Sequence, residues 1–235
     1  MTEITITDIE HYLQIIEPIR LENNEYLLFR GQSNDDPLLP GIARKKPNFN
    51  TSGKERIMLD HLKRVGFLKL NNQNLDIWDL LILAQHHGMQ ARLLDWSSNP
   101  LVALWFAVQN VYRYKQDSYV YILSADSNMA IDKYENKDPF SLNQTFILKP
   151  TLNNERIIGQ YGWFTIHNYS ADVGRFVALN ENINTSDKIT KIIIPSDLKL
   201  TLLNRLTLMG VNAKSIFPDL EGYCKHINWK YLDRV

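Results

Sequence analysis

The chain has 235 residues, enough for one domain that buries roughly 70 to 75% of its unfolded surface without staples. With 44% hydrophobic and 22% charged residues it is no disordered chain, and 26 basic against 26 acidic residues exclude coating of nucleic acid through bulk charge. A single cysteine, Cys224, excludes an internal disulfide and fits a reducing cytoplasm, while no apolar run is long enough to span a bilayer and MTEITITDIEHY lacks the regions of an export signal.

Thr7-Asp8-Ile9-Glu10 is a capping box, so the first helix is expected to begin at Thr7, with Ile9, Tyr12, Leu13, Ile16 and Ile19 on one face. Residues 26–29 read as a buried strand that delivers Arg30 and Gly31 at its C-terminal edge. Irregular loops are expected near 31–53 and 126–143. A basic helix is predicted over 54–70 and an apolar one over 76–86, ended by Gly88 in the left-handed conformation. A turn then leads into Arg92-Leu93-Leu94-Asp95-Trp96. Asn99 followed by Pro100 starts the next helix, with Leu101, Leu104, Trp105 and Val108 as its apolar stripe. Strands are predicted over 119–124, 145–148, 163–167, 176–179 and 191–194, and helices over 196–209 and 219–232. Without repeats or long linkers, this order predicts a single domain of the α+β class: an N-terminal helical segment, 1–25, packed on one compact unit, 26–235.

Several familiar chemistries are missing from the pattern. The six histidines are scattered or, at His86 and His87, adjacent; no zinc spacing, no Gly-x-Ser-x-Gly elbow and no phosphate loop is present, so no metal is expected. Arg30, where an apolar strand stops, has Gly31, Gln32 and Ser33 beside it and can grip a phosphate or carboxamide, or else pair with a structural carboxylate. Gln85-His86-His87-Gly88 and Arg92 to Ser97 place many polar groups between two apolar helices, where each unpaired buried atom would cost about 1 to 3 kcal/mol. That cluster needs a network or a ligand, and one reading of part of it is an Arg92 to Asp95 salt bridge. Gln160 and Tyr161, between Gly159 and Gly162, can aim an amide into a cleft or form a tight turn. Ser215-Ile216-Phe217-Pro218-Asp219 reads as a helix entry. Between Gly41 and Leu70, eight basic residues face two acidic ones, a net of +6.

Phe29-Arg30-Gly31-Gln32, the run Gln85-His86-His87-Gly88-Met89-Gln90-Ala91-Arg92-Leu93-Leu94-Asp95-Trp96, the run Asn99-Pro100-Leu101-Val102-Ala103-Leu104-Trp105-Phe106-Ala107, Gln160-Tyr161-Gly162 and Phe217-Pro218-Asp219-Leu220 together resemble the FRG domain. The family usually shows a small hydroxyl residue where this chain has Ala91. Its motif order in turn resembles that of NAD-dependent ADP-ribosyltransferases, some of whose FRG-bearing relatives look like toxins of bacterial anti-phage systems. The resemblance implies a split β-sheet core with helices packed around it and NAD as substrate. It also implies a catalytic set of Arg30, His87, Asp95 and Gln160, and a nucleotide site of Arg30, Gly31, Gln32, Trp96, Ser97 and Phe164. Those enzymes carry a glutamate near the position of Gln160, which this chain lacks; a catalytically inactive nucleotide- or partner-sensing module is the alternative. The basic residues 44–69 would suit RNA or DNA as acceptor, and a toxin implies a neutralising antitoxin protein.

Overall fold

The computed structural model describes residues 1–21, 25–66, 75–110, 115–133, 138–152 and 154–233. Its frame is a mixed sheet of seven strands in the order β1-β9-β4-β2-β3-β6-β5. These are β1 (Thr2–Thr5), β2 (Tyr26–Gln32), β3 (Leu93–Ser97), β4 (Ser118–Ala125), β5 (Phe146–Leu148), β6 (Gly162–Ile166) and β9 (Ile189–Ile194). The remaining two, β7 (Tyr169–Ser170) and β8 (Arg175–Phe176), form a separate small ribbon. Only the β1–β9 pair is parallel; the other ladders run antiparallel. Strands and helices joined in one sheet-centred unit bear out the α+β single domain.

Three strands were not foreseen: β1, β3 and the two-residue β7. β1 is short and polar, so alternation gives it little signal. β3 takes up the run into which a turn was expected to lead and to which no element was assigned, because its buried Leu93, Leu94, Trp96 and Ser97 face packing on both sides of the sheet. Strand 176–179 shrinks to Arg175–Phe176.

Helices cover one face of the sheet in two groups. On the left half lie α1 (Ile9–Leu21), α4 (Pro100–Val108) and α6 (Lys199–Leu208), which bury Tyr12, Phe29, Leu104, Val120, Ile122 and Leu206 in one cluster. The start of α1 corrects the expected cap: Asp8 Oδ1 accepts from the His11 N–H at 2.7 Å, so Asp8 rather than Thr7 closes the first turn. The Tyr12 hydroxyl donates to the Pro100 carbonyl at 2.8 Å and ties α1 to α4. On the right half lie α2 (Ser52–Val65) and α3 (Ile77–His86), whose Leu59, Trp78 and Leu81 pack with Leu93 and Ile166. α5 (Glu155–Gly159), α7 (Ala213–Ile216) and α8 (Leu220–Asn228) complete the chain. The predicted helix over 54–70 is described only as far as Val65, and residues 67–70 with Lys69 lie outside the described residues.

The opposite face holds Leu28, Leu94, Trp96 and Tyr121, covered by loop residues such as Leu38 and Leu179. Between the two helical groups the sheet is nearly parted. β2 and β4 run in register from Tyr26–Ala125 to Gln32–Tyr119, but β2 and β3 meet at one pair, Phe29 opposite Ser97.

Candidate functional site

The parting of β2 from β3 makes the floor of a cleft of about 360 Å³. Phe29 and Gly31 line one side of that floor, and Asp95 and Ser97 the other. Continuing the register would set Gly31 opposite Asp95, yet the ladder stops two residues short. Arg30 bridges the gap instead. Its NH1 donates to the Asp95 carbonyl at 2.6 Å and stands 3.9 Å from the Asp95 carboxylate, while its Nε donates to Gln32 Oε1 at 3.0 Å. A guanidinium therefore satisfies a backbone acceptor that the sheet leaves unpaired. Burial pulls the Arg30 pKa down to about 10, with Asp95 opposing the shift, so Arg30 stays charged at neutral pH.

α4 closes one wall by lying directly on β2. A Cβ on Gly31 would come 1.9 Å from the Ala103 carbonyl oxygen and 2.6 Å from the Ala107 nitrogen, so only glycine permits this approach. Asn99 accepts from the Leu101 N–H at 2.9 Å as N-cap, with Pro100 at the first helical position as the sequence predicts. Held this way, α4 points Phe106 into the cleft, where its ring meets Phe217 edge-on at 6.0 Å.

α3 and α5 form the facing wall. Gln85 Nε2 donates to Asp95 Oδ1 at 2.9 Å, fixing the carboxylate, while the buried Gln85 Oε1 has no partner. His86 lines the cleft; His87 is exposed and does not. The assignment to His87 is corrected on geometry: Gly88 at φ +91° makes His87 the C-cap, past the last helical turn, so its ring leaves the wall. Burial, His87 and Arg156 push the His86 pKa below its usual value, which keeps its imidazole neutral near pH 7.

Gln160 follows α5 and also lines the cleft. Its carbonyl accepts from the Ser97 hydroxyl at 2.7 Å, which locks the α5 end to β3. Tyr161 sits at φ +51°, a sparsely populated region for a bulky residue, so strain is concentrated beside Gln160. Arg156, which sequence reasoning did not single out, enters the cleft from α5. It pairs with Asp219 and with Glu221 at 3.0 Å and stacks over Phe217 at 5.3 Å. Its partners are some sixty residues downstream, a pairing no local pattern announces.

The structure thus brings Arg30, Gly31, Asp95, Ser97 and Gln160 to one cleft. Trp96 also lines the cleft, but its ring packs in the cluster of the opposite layer and donates Nε1–H to Thr165 Oγ1 at 3.0 Å. Phe164 is buried with Leu80 and Leu81 under α3. Gln32 touches the site through Arg30 and donates to the Asp36 carbonyl. Phe106 and Phe217 line the cleft as well, beside Phe29 of its floor. The suggested Arg92 to Asp95 bridge is not formed. Arg92 is fully buried and pairs with Glu55 of α2, its Nε donating to Oε2 at 2.9 Å and its backbone N–H to Oε1 at 2.8 Å.

Comparison with known families bears on this region. Residues 25–116 match the FRG domain. No curated protein and no solved structure matches the chain. The FRG segment supplies the floor, α4 and α3; the wall carrying Arg156, Gln160 and Phe217 lies beyond it. No group of three or more metal-ligating side chains occurs among the described residues, and no helix among them is long and apolar enough to cross a membrane.

Behind the FRG floor, His167 is fully buried, with Nε2 3.0 Å from Thr165 Oγ1. The Thr165 hydroxyl oxygen also accepts from Trp96, and His167 Nδ1 has no partner. Burial, with Arg30 and Arg92 nearby, holds the His167 pKa at about 3 against 6.5 for a free imidazole. Between those values the unfolded chain binds one proton more than the native one, so stability rises with pH. Acidification from pH 6.5 is expected to cost on the order of 1.4 kcal/mol per pH unit from this group. Urea midpoints at several pH values should fall less steeply in His167→Gln; identical slopes would refute the assignment.

Proposed function

We propose that the chain transfers ADP-ribose from NAD to a macromolecule, as its resemblance to ADP-ribosyltransferases implies, and that it does so as a toxin in phage defence. The observation that carries this reading is that Arg30 and Gln160, distant in the chain, converge on one cleft at the split between β2 and β3. Arg30 would hold the diphosphate or the ribose, and the open edge of β2 at Gly31 the nicotinamide carboxamide. Phe106 and Phe217 would flank the nicotinamide ring.

Nicotinamide is a cationic leaving group, so its bond to C1′ of the ribose breaks through an oxocarbenium-like state, as in glycoside hydrolysis. The breaking bond returns its electron pair to the nicotinamide nitrogen, which leaves neutral. The acceptor's nucleophile forms the new bond to C1′ and loses a proton. Neutral His86, which lines the cleft, would take it. Gln160 would hydrogen-bond the ribose hydroxyls, and the Asp95 carboxylate would stabilise the positive charge at C1′.

Purified protein incubated with NAD and single-stranded RNA should release nicotinamide and add the mass of ADP-ribose to the RNA. Arg30→Ala should lower release by at least roughly ten-fold, the loss of one charge-assisted contact, and Gln160→Glu should raise it. No product from the unaltered chain, or equal product from Arg30→Ala, overturns the proposal. An inactive nucleotide-sensing module would instead show NAD-dependent thermal stabilisation without turnover. A toxin also implies a protein antitoxin, seen as growth arrest on expression alone that Arg30→Ala relieves.

A further inference from the structure

On the far side of Phe106 lies a second pocket of about 440 Å³. Phe106 belongs to both walls, so one ring separates the two spaces. The pocket is enclosed by Trp105 and Phe106 of α4 and by Trp229, the residue after α8, with the amides of Gln109 and Asn228 at its rim. The Trp229 indole N–H is buried and has no partner, although Trp229 itself is only 8% exposed. A buried donor left open is unfavourable, and a ligand acceptor would satisfy it once the ring turns its N–H, now closed to solvent, toward the pocket.

The chemistry of the lining selects the ligand. No acidic side chain lines the pocket, so a basic protein side chain would find no counter-charge there. Lys225, the one cation in the lining, is already paired with Glu221 at 2.7 Å, so an acidic side chain is poorly served as well. Aromatic faces with amide edges and an indole donor suit a neutral planar ring that carries acceptors on its edge, which is a nucleobase. Lys225 at the mouth can still meet a phosphate outside.

We infer that this pocket holds a nucleobase of a single-stranded nucleic acid acceptor. The consequence for transfer rests on the reading of the neighbouring cleft as an NAD site; the base-binding claim does not. A base seated here would leave its own sugar and neighbours one ring away from the ribose of NAD.

The test titrates the four 5′-mononucleotides AMP, GMP, CMP and UMP into the full chain by calorimetry, with and without NAD. At least one should bind saturably and remain bound when NAD is present. Trp229→Phe, which keeps a ring and removes the N–H, should weaken that binding roughly ten-fold, the worth of one hydrogen bond to a buried donor. Arg30→Ala should not change it. Should Trp229→Phe fold poorly, the exposed double change Gln109→Ala with Asn228→Ala should also weaken binding. No saturable binding of any mononucleotide, or binding lost in Arg30→Ala and kept in the pocket variants, overturns the inference. Nicotinamide release, read from the same preparations, reports separately on the cleft: its absence removes the transferase reading while the titration alone decides the base site.

Discussion

Replacing Glu55 by alanine is expected to cost about 3 to 5 kcal/mol, since it strands the Arg92 charge in the core. Both partners are buried, at 0% and 1% side-chain exposure. Glu55 receives two donors from Arg92, one from the guanidinium and one from the backbone. What remains for the guanidinium is the Ser52 hydroxyl at 2.9 Å and the face of Phe140 at 4.4 Å, neither of which neutralises it. For a domain whose whole stability is about 5 to 15 kcal/mol, that is about a fifth or more. Urea denaturation monitored by circular dichroism measures it. Glu55→Gln keeps an acceptor for the backbone N–H but also strands the charge, so it should fall between the wild-type and alanine chains. A loss below about 1 kcal/mol in Glu55→Ala would show that water reaches Arg92.

Gly31→Ala is expected to destabilise the chain by about 3 kcal/mol, the upper end of the usual overpacking range. The obstacle to the new methyl is backbone, the Ala103 carbonyl at 1.9 Å, and no rotamer change can clear it. α4 would have to lift, and Phe106 would move with it. The same change should therefore impair any ligand that uses the cleft beyond what stability alone explains. Thermal unfolding gives the first effect, and ligand titration at a temperature where the variant is folded gives the second. An unchanged melting temperature would mean that α4 is not seated on β2 as described. The conservation of conformational freedom is not the issue at this residue, whose φ is not positive; the requirement is space.

Much of the site's framework was legible. The strand from Tyr26, which runs on through Arg30 and Gly31 to Gln32 rather than stopping at Phe29, the Gly88 stop and the Asn99-Pro100 start all rest on local rules that act within one turn of chain. What escaped was decided by partners far along the sequence. Arg92 has an acidic neighbour at Asp95, yet a buried carboxylate on α2 claims it. Trp96 looked like a stacking ring because aromatics near polar motifs often are, but alternation along β3 sends it to the other face from Asp95 and Ser97. His86 and His87 differ by one position, and only knowing which residue is the cap tells which ring meets the cleft. Arg156 is invisible locally because Asp219 and Glu221 come from another helix.

The parallel pairing of β1 with β9 joins Thr2 to Thr190. During synthesis β1 therefore finds its partner only once residues 189–194 have been made. β4 also takes β9 as a neighbour, so a nascent or truncated chain that stops short of Ile189 leaves two strand edges open at once. Such a fragment is exposed to pairing with other chains, because β9 is the strand that joins β1 to β4.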